Sequence, residues 1–206
     1  MSNSGSQSHP ASLAEFGSGA NGNVAPNNVV GGPAKSNLVT ASGVAEDANG
    51  FLYVASPIMV ALYVYSPGAS GDVSPYATLT GSEVRMNNPQ GVVVKDNKLY
   101  VANGPFGSGS SGTPSIAVFA LPLAAGVNNV APIAVISGPA TGLDSPFGLA
   151  VDSSGNIFVA NVNNAVTEYA PPAPSSFASP DNAPPILTIT SGLVAPEGLA
   201  ILGSTL

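Results

Sequence analysis

The chain has no cysteine, no tryptophan, one histidine and only four basic residues among 206. Without cysteine there is neither a disulfide framework nor a thiolate metal site, so packing alone must hold the fold. Four basic against eleven acidic residues give a formal net charge of −7. No basic stripe is available to neutralise phosphates, which excludes nucleic acid as a partner and disfavours anionic membrane surfaces. The single histidine, His9, stands in an N-terminal leader outside every repeated segment, leaving histidine-dependent acid–base chemistry without its residue. No run of about 18 apolar residues exists to insert in a membrane. The first ten residues lack the basic and apolar regions of a signal peptide and read as a disordered leader, 1–10. Charged residues amount to 7% against 44% hydrophobic, so solubility rests on Ser, Thr, Asn and turn amides. That balance is unusual for a cytoplasmic protein and points to the extracellular space or the cell envelope.

Helical periodicity is also missing. Apolar residues do not recur at i, i+3 and i+4, and 24 glycines and 20 prolines interrupt every window of helical length. What the chain has instead is a repeat. One segment recurs as Ser42-Gly43-Val44-Ala45-Glu46-Asp47, Gln90-Gly91-Val92-Val93-Val94-Lys95, Phe147-Gly148-Leu149-Ala150-Val151-Asp152 and Glu197-Gly198-Leu199-Ala200-Ile201, with glycines 48, 57 and 50 residues apart. A second segment follows three of these: Phe51 to Ser56, Leu99 to Asn103 and Ile157 to Asn161. The connections Asp47-Ala48-Asn49-Gly50 and Asp152-Ser153-Ser154-Gly155-Asn156 hold the Asp, Asn and Gly that tight hairpins require.

A third segment alternates with period two and closes on an aromatic: Leu13 to Phe16, Leu62 to Tyr65, Ile116 to Phe119 and Val166 to Tyr169. Turns then lead to a fourth: Asn28 to Val30, Ala77 to Thr80, Ile133 to Ser137 and Ile186 to Thr190. The turn Gly19-Ala20-Asn21-Gly22-Asn23-Val24-Ala25-Pro26 matches Gly68-Ala69-Ser70-Gly71-Asp72-Val73-Ser74-Pro75. Naming the four segments a, b, c and d, the chain reads c-d, three times a-b-c-d, then a.

Four-stranded sheets repeating every 40–50 residues predict an all-β fold, a β-propeller of four-stranded antiparallel blades numbering about four. The expected units are a half blade over 11–41, blades over 42–88, 89–145 and 146–195, and a last strand a over 196–203. A non-circular stack of hairpins is the alternative. Whether the ring closes depends on the composite blade made from both ends, which lacks a strand b; a closed four-blade monomer with a weakened fourth blade is expected, and an open arc of a larger propeller is the alternative.

Pro146-Phe147-Gly148-Leu149-Ala150-Val151-Asp152, a short turn, then Asn156-Ile157-Phe158-Val159-Ala160-Asn161 resembles the NHL repeat, and the resemblance spans about residues 11–203. It implies a propeller, in a superfamily that includes lactonases and lyases working from the channel mouth with a metal ion or histidine. In lactonase-type relatives the residue before the strand-a glycine helps to hold a divalent cation. Here that position carries Ser42, Gln90, Phe147 and Glu197, a set too poor in anionic oxygen for a hard cation.

No metal, cofactor or catalytic residue is therefore expected. The expected function is a non-catalytic scaffold binding a protein or carbohydrate at the channel mouth or on the loop face. Candidate ligand-binding residues are Gln90 and Glu197 at the mouth, and Asn103, Asn161, Asn163 and Asn164 at the ends of the b segments. Phe106 joins them in the inserted loop 104–114, which stretches one period. The asparagines also fit a plain turn role, and Glu46, Asp47 and Asp152 are read as turn residues. A degenerate metal-dependent lactonase or lyase around Gln90 and Glu197, and a structural fragment of a longer repeat protein, are the competing readings.

Overall fold

The computed structural model describes residues 2–3, 11–105, 112–176 and 178–201. Its strands, in chain order, are β1 (Ser2–Asn3), β2 (Ser12–Glu15) and β3 (Asn28–Gly31) in blade 1, followed by β4 (Val44–Glu46), β5 (Leu52–Ser56), β6 (Ala61–Tyr65) and β7 (Ala77–Leu79) in blade 2. Blade 3 contains β8 (Pro89–Lys95), β9 (Lys98–Asn103), β10 (Ser115–Ala120), β11 (Gly126–Asn128) and β12 (Ala134–Ser137). Blade 4 contains β13 (Pro146–Val151), β14 (Ile157–Asn161), β15 (Ala165–Tyr169) and β16 (Leu187–Ile189). The four sheets are antiparallel meanders, with one exception: β11 leaves its own blade and pairs in parallel with β7. The fold is an all-β propeller type with about four blades, and the described residues contain no helix.

Local chemistry sets the hairpins. Asp47 Oδ1 accepts the N–H groups of Asn49 and Phe51, both at 2.9 Å, and Gly50 takes φ +84°. Asp152 repeats the device, accepting from Ser154 and Asn156 at 2.8 Å each with Gly155 at φ +85°. Desolvation of the Asp152 carboxyl opposes ionisation, but the hydrogen bonds from Asn156, Ser154 and Gly155 outweigh it and hold the group below the usual carboxylate range. Both aspartates thus serve the turns they start.

The core lies between blades rather than within them. Leu13, Val30, Tyr63 and Tyr65 pack blade 1 on blade 2. Leu62, Leu79, Leu99 and Phe119 pack blade 2 on blade 3. Ile116, Ile136, Ile157 and Tyr169 pack blade 3 on blade 4. On the inner side the recurring glycines allow neighbouring backbones to touch. Gly43 donates its N–H to the Gln90 carbonyl at 2.7 Å, and a Cβ at Gly91 would overlap the Phe147 carbonyl oxygen.

Among the described residues no strand pairing makes the expected closure between the two ends. Ser2 and Asn3 pair with Leu13 and Ser12 and so take the strand-b place of blade 1, where no strand had been anticipated. Residues 197–201 carry no ladder pairing, although the Glu197 carbonyl sits over Gly148 as a strand-a carbonyl would. A Cβ at Gly198 would meet nothing within 4 Å, and among the described residues no core cluster joins blade 4 to blade 1. The physical reason is the extra packing that closure needs: an inner strand must find both a ladder partner and a facing glycine, and residues 197–201 find only the glycine of the preceding blade. Among the described residues the core clusters therefore join blade 1 to 2, 2 to 3 and 3 to 4, with none between 4 and 1.

Candidate functional site at the channel mouth

Strand a enters each of blades 3 and 4 through a bulge. Pro89 pairs with Asn103 and Val92 with Val101, so one extra residue sits between them on β8; Pro146, Leu149, Asn161 and Val159 repeat the arrangement on β13. A bulge breaks the regular alternation and re-aims a side chain. The residues it frees are Gln90 and Phe147. Both line one pocket of about 320 Å³ together with Ser42, Glu197, Thr40, Ala41, Pro57 and Asn88. The four residues that precede the strand-a glycines, far apart in sequence, are therefore brought together.

The pocket is graded in polarity. Ser42 Oγ donates to Gln90 Oε1 at 2.7 Å, and Gln90 is buried. This bond fixes the amide in a single orientation at the pocket wall. Phe147 supplies a half-buried aromatic ring, and Glu197 supplies an exposed carboxylate. An aromatic face, an oriented amide and one carboxylate suit hydroxyl- or amide-bearing ligands, which need donors and acceptors beside an apolar surface. Among the described residues no three His, Cys, Asp or Glu side chains gather into a metal-binding group.

The remaining candidates lie elsewhere. Asn103 and Asn161 stand opposite Pro89 and Pro146, at the same end of the blades as the pocket, yet both are fully buried and neither lines it. Asn161 is spent inside the fold: its Oδ1 accepts the Asp144 N–H at 3.0 Å and its Nδ2 donates to Thr167 Oγ1 at 2.9 Å. Among the described residues Asn103 has only a 3.5 Å contact from Nδ2 to the Val101 carbonyl, and its Oδ1 has no partner. Asn163 and Asn164 are exposed; Asn164 adopts the φ of +74° of a turn residue, and its Oδ1 accepts the N–H of Ala195 at 2.8 Å, tying this turn to the segment that leads to Glu197. Phe106 lies outside the described residues. Thr40 and Asn88 reach the pocket without having been anticipated; the sole sequence signal was their place just before a repeated segment.

Larger grooves occur between blades. One of about 570 Å³ is lined by Leu13, Glu15, Val44, Glu46 and Leu52 between blades 1 and 2. Another of about 660 Å³ is lined by Tyr100, Ile133, Pro171 and Pro174. Each draws on two adjacent blades, whereas the smaller mouth pocket draws on blades 2, 3 and 4 and the segment after them.

No protein-family model matches the chain, and no curated protein matches it. Among solved structures the chain is similar to a protein of unknown function from Bacteroides caccae, with a TM-score of 0.50 and 14% identity over 79% of this chain and 50% of that one. It is also similar to a chain in a humanized mutant of the Chaetomium thermophilum Polycomb Repressive Complex 2 bound to the inhibitor GSK126, with a TM-score of 0.54 and 14% identity over 95% of this chain and 40% of that one. The WD40 β-propeller domain of Doa1 aligns at a TM-score of 0.41 and 12% identity over 79% and 58% of the two chains. At such identities the likeness is one of fold. The chain spans half or less of the length of the first two.

Proposed function

We propose that the chain is a non-catalytic, NHL-like propeller scaffold that binds a peptide or glycan segment at the channel mouth. The observation that carries this reading is the convergence of Ser42, Gln90, Phe147 and Glu197 on one pocket, with the Gln90 amide oriented by Ser42. Buried, oriented amides give specificity because a ligand that fails to match them leaves polar groups unpaired. Phe147 supplies apolar contact area, and Glu197 selects hydroxyls, amides or cations over anions. The competing lactonase-type reading needs several anionic ligands, and this pocket offers one carboxylate.

Peptide and glycan arrays probed with the intact protein test the reading. Ligands retained by the parent are expected to lose roughly tenfold or more in affinity on Gln90→Leu and on Phe147→Ala, and to keep their affinity on Asn163→Ala. Binding that survives both mouth substitutions, or no binding by the folded protein to either array, would overturn it. Calcium titration of the melting temperature separates the lactonase-type reading, which requires a rise that Glu197→Gln abolishes.

A further inference from the structure

Blades 2, 3 and 4 each strap themselves to the blade before them through the connection between strands c and d. In blade 2, Gly71 donates its N–H to the Val29 carbonyl at 2.7 Å and accepts the Gly31 N–H at 3.1 Å, which adds a parallel bridge to the outer edge of β3. Asp72 then accepts the N–H groups of Ala34, Lys35 and Ser36 at 3.0, 2.8 and 2.9 Å. In blade 3 the strap is β11 on β7, and Asn129 Oδ1 accepts the Glu83 N–H at 2.9 Å. In blade 4, Asp181 donates to Val135 at 2.7 Å and accepts from Ser137 at 2.9 Å, and Asn182 Oδ1 accepts the Ala140 N–H at 2.9 Å. The device is a parallel backbone bridge followed by an Asp or Asn that satisfies the next turn.

Blade 1 has the same strap already shaped. Gly19 and Gly22 sit at φ +77° and +72°, as Gly68 and Gly71 sit at +70° and +73°. Val24 N–H reaches the Gly22 carbonyl at 3.1 Å, matching Val73 to Gly71 at 3.1 Å. Asn23 occupies the place of Asp72. Yet Gly22 and Asn23 are exposed and bond no other blade among the described residues.

The opposite end offers the complementary edge. β3, β7 and β12 all receive a strap, whereas β16 pairs with β15 alone among the described residues. Thr188 pairs with Thr167 as Val135 pairs with Ala117, so Thr188 and Thr190 stand where Val135 and Ser137 meet their strap. Exposed apolar side chains flank both halves: Val24 and Val29 at one end, Ile186, Leu187 and Val194 at the other. An open edge beside apolar surface is a template for pairing.

We propose that the strap Gly19 to Pro26 of one copy docks on β16 of a second copy, head to tail, continuing the inter-blade interface that the chain builds three times within itself. Gly22 N–H donates to the Thr188 carbonyl, Thr190 N–H donates to the Gly22 carbonyl, and Asn23 Oδ1 accepts an N–H from the turn after Thr190. The contact is heterologous, so copies close into a ring if the rotation permits and otherwise extend as a chain. It is independent of what the mouth binds, and it departs from the monomer expected of a closed ring.

The absence of cysteine permits a direct test. Asn129 and Gly81, and Asn182 and Gly138, bring Cβ positions to about 3 Å in the built straps, close to disulfide reach, and Ser191 holds the register of Gly81 and Gly138. Purified Asn23→Cys and Ser191→Cys proteins are mixed under mild oxidation and run without reductant, with Ser154→Cys replacing Ser191→Cys as the control. The expected result is a linked pair of about twice the 20.2 kDa chain mass with Ser191→Cys, roughly tenfold more than with Ser154→Cys. Gly22→Val, which forbids the strap conformation, abolishes the excess, and light scattering of the cysteine-free parent shows mass rising with concentration. Equal linking with the control, an intrachain link formed only in the Asn23→Cys/Ser191→Cys double variant, or a parent that stays at 20.2 kDa at every concentration would each overturn the proposal.

Discussion

The outer strands of blades 3 and 4 are built from closely similar sequence and end in opposite environments. Ile133-Ala134-Val135-Ile136-Ser137 gives β12, in which Ala134 to Ser137 are all buried; Ile186-Leu187-Thr188-Ile189-Thr190 gives β16, in which Leu187 and Thr188 are exposed. Both strands hold the same register on their own strand c. The difference comes from the neighbour. Over β12 runs the connection from blade 4, where Ser175 Oγ accepts the Val135 N–H at 2.8 Å and Asp181 bridges the edge. Over β16 no strap lies among the described residues. In a repeat fold each unit's stability is therefore largely an interface term, and one sequence can be core or surface according to whether a neighbouring blade covers it.

The comparison is broken most sharply by truncating the same position in both strands. Ile136 faces Ile116 across the ladder as Ile189 faces Val166, but Ile136 is 2% exposed and Ile189 only partly covered. Ile136→Ala is expected to cost about 2–5 kcal/mol in urea unfolding. Ile189→Ala should cost about 1 kcal/mol, the loss of partly buried methyls without a sealed cavity. Equal costs at dilute protein would mean that β16 is already covered in the single chain. A gap that narrows as protein concentration rises would sharpen the comparison, since head-to-tail docking covers β16.

Alkali is the next lever, because tyrosines tie two of the blades to their predecessors. Tyr65 donates to the Ser36 carbonyl, and Tyr169 donates to the Thr141 carbonyl at 2.7 Å; blade 3 has Phe119 at this place and no such bond. Burial raises both phenols, that of Tyr169 to about 12, and the neighbouring Tyr63 and Asp72 add to the shift at Tyr65. Each phenol therefore holds its proton more tightly in the folded chain. The associated stability is complete below the ordinary pKa of 10.0 and is lost as pH rises through the folded value. Stability should be level from neutrality to about pH 9 and then fall by on the order of 2 kcal/mol per tyrosine toward pH 12. Tyr65→Phe and Tyr169→Phe together should lessen that fall, leaving the part carried by Tyr53, Tyr63 and Tyr100, whose phenols burial also raises, as read by melting temperature against pH. A double variant that falls as steeply as the parent would show that these two phenols do not govern the alkaline limb.

The meander was legible because its signals are local. The b–c–d alternation and the Asp–Gly hairpins fix strands within a few residues, so β5, β9, β14 and their partners stand where periodicity put them. The strand-a glycines were legible as crowded positions, and Gly43 and Gly91 meet facing carbonyls. The mouth set was legible for the same reason: a residue at a fixed offset from that glycine must share an end of the blades with its counterparts. Gln90 and Glu197 accordingly line one pocket, while Asn103 and Asn161, buried at the same end of the blades, do not line it. The unread part is long-range. β1 is two residues with no alternation to detect, and β11 is an Asn-rich turn that becomes a strand only because β7 presents an edge. Whether 197–201 would find a ladder was likewise a matter of partners absent from the local sequence.

The smallest expected effect concerns the straps themselves and separates blade 2 from its neighbours. Among the described residues Asp72 collects three backbone N–H groups, whereas Asn129 and Asn182 each collect one and Asn23 none. The bond from Lys35 contributes most to lowering the Asp72 carboxyl, with Ser36, Ala34 and the Lys35 charge acting in the same direction against a desolvation cost. A lowered folded pKa gives stability that is present above the ordinary value of 3.8 and lost as pH falls through the folded one. Only the blade 1–2 junction should therefore weaken with acid by this route. Amide exchange at Ala34, Lys35 and Ser36 is expected to accelerate relative to the intrinsic rate as pH falls below the ordinary value of 3.8, while Glu83 and Ala140, bonded to neutral amides, keep their protection. Asp72→Asn should remove the pH dependence at 34–36 and leave the weaker, pH-independent protection of the Asn straps. Protection at Ala34 to Ser36 that tracks that of Ala140 throughout the titration would mean that strap shape, and not the carboxylate charge, secures the junction.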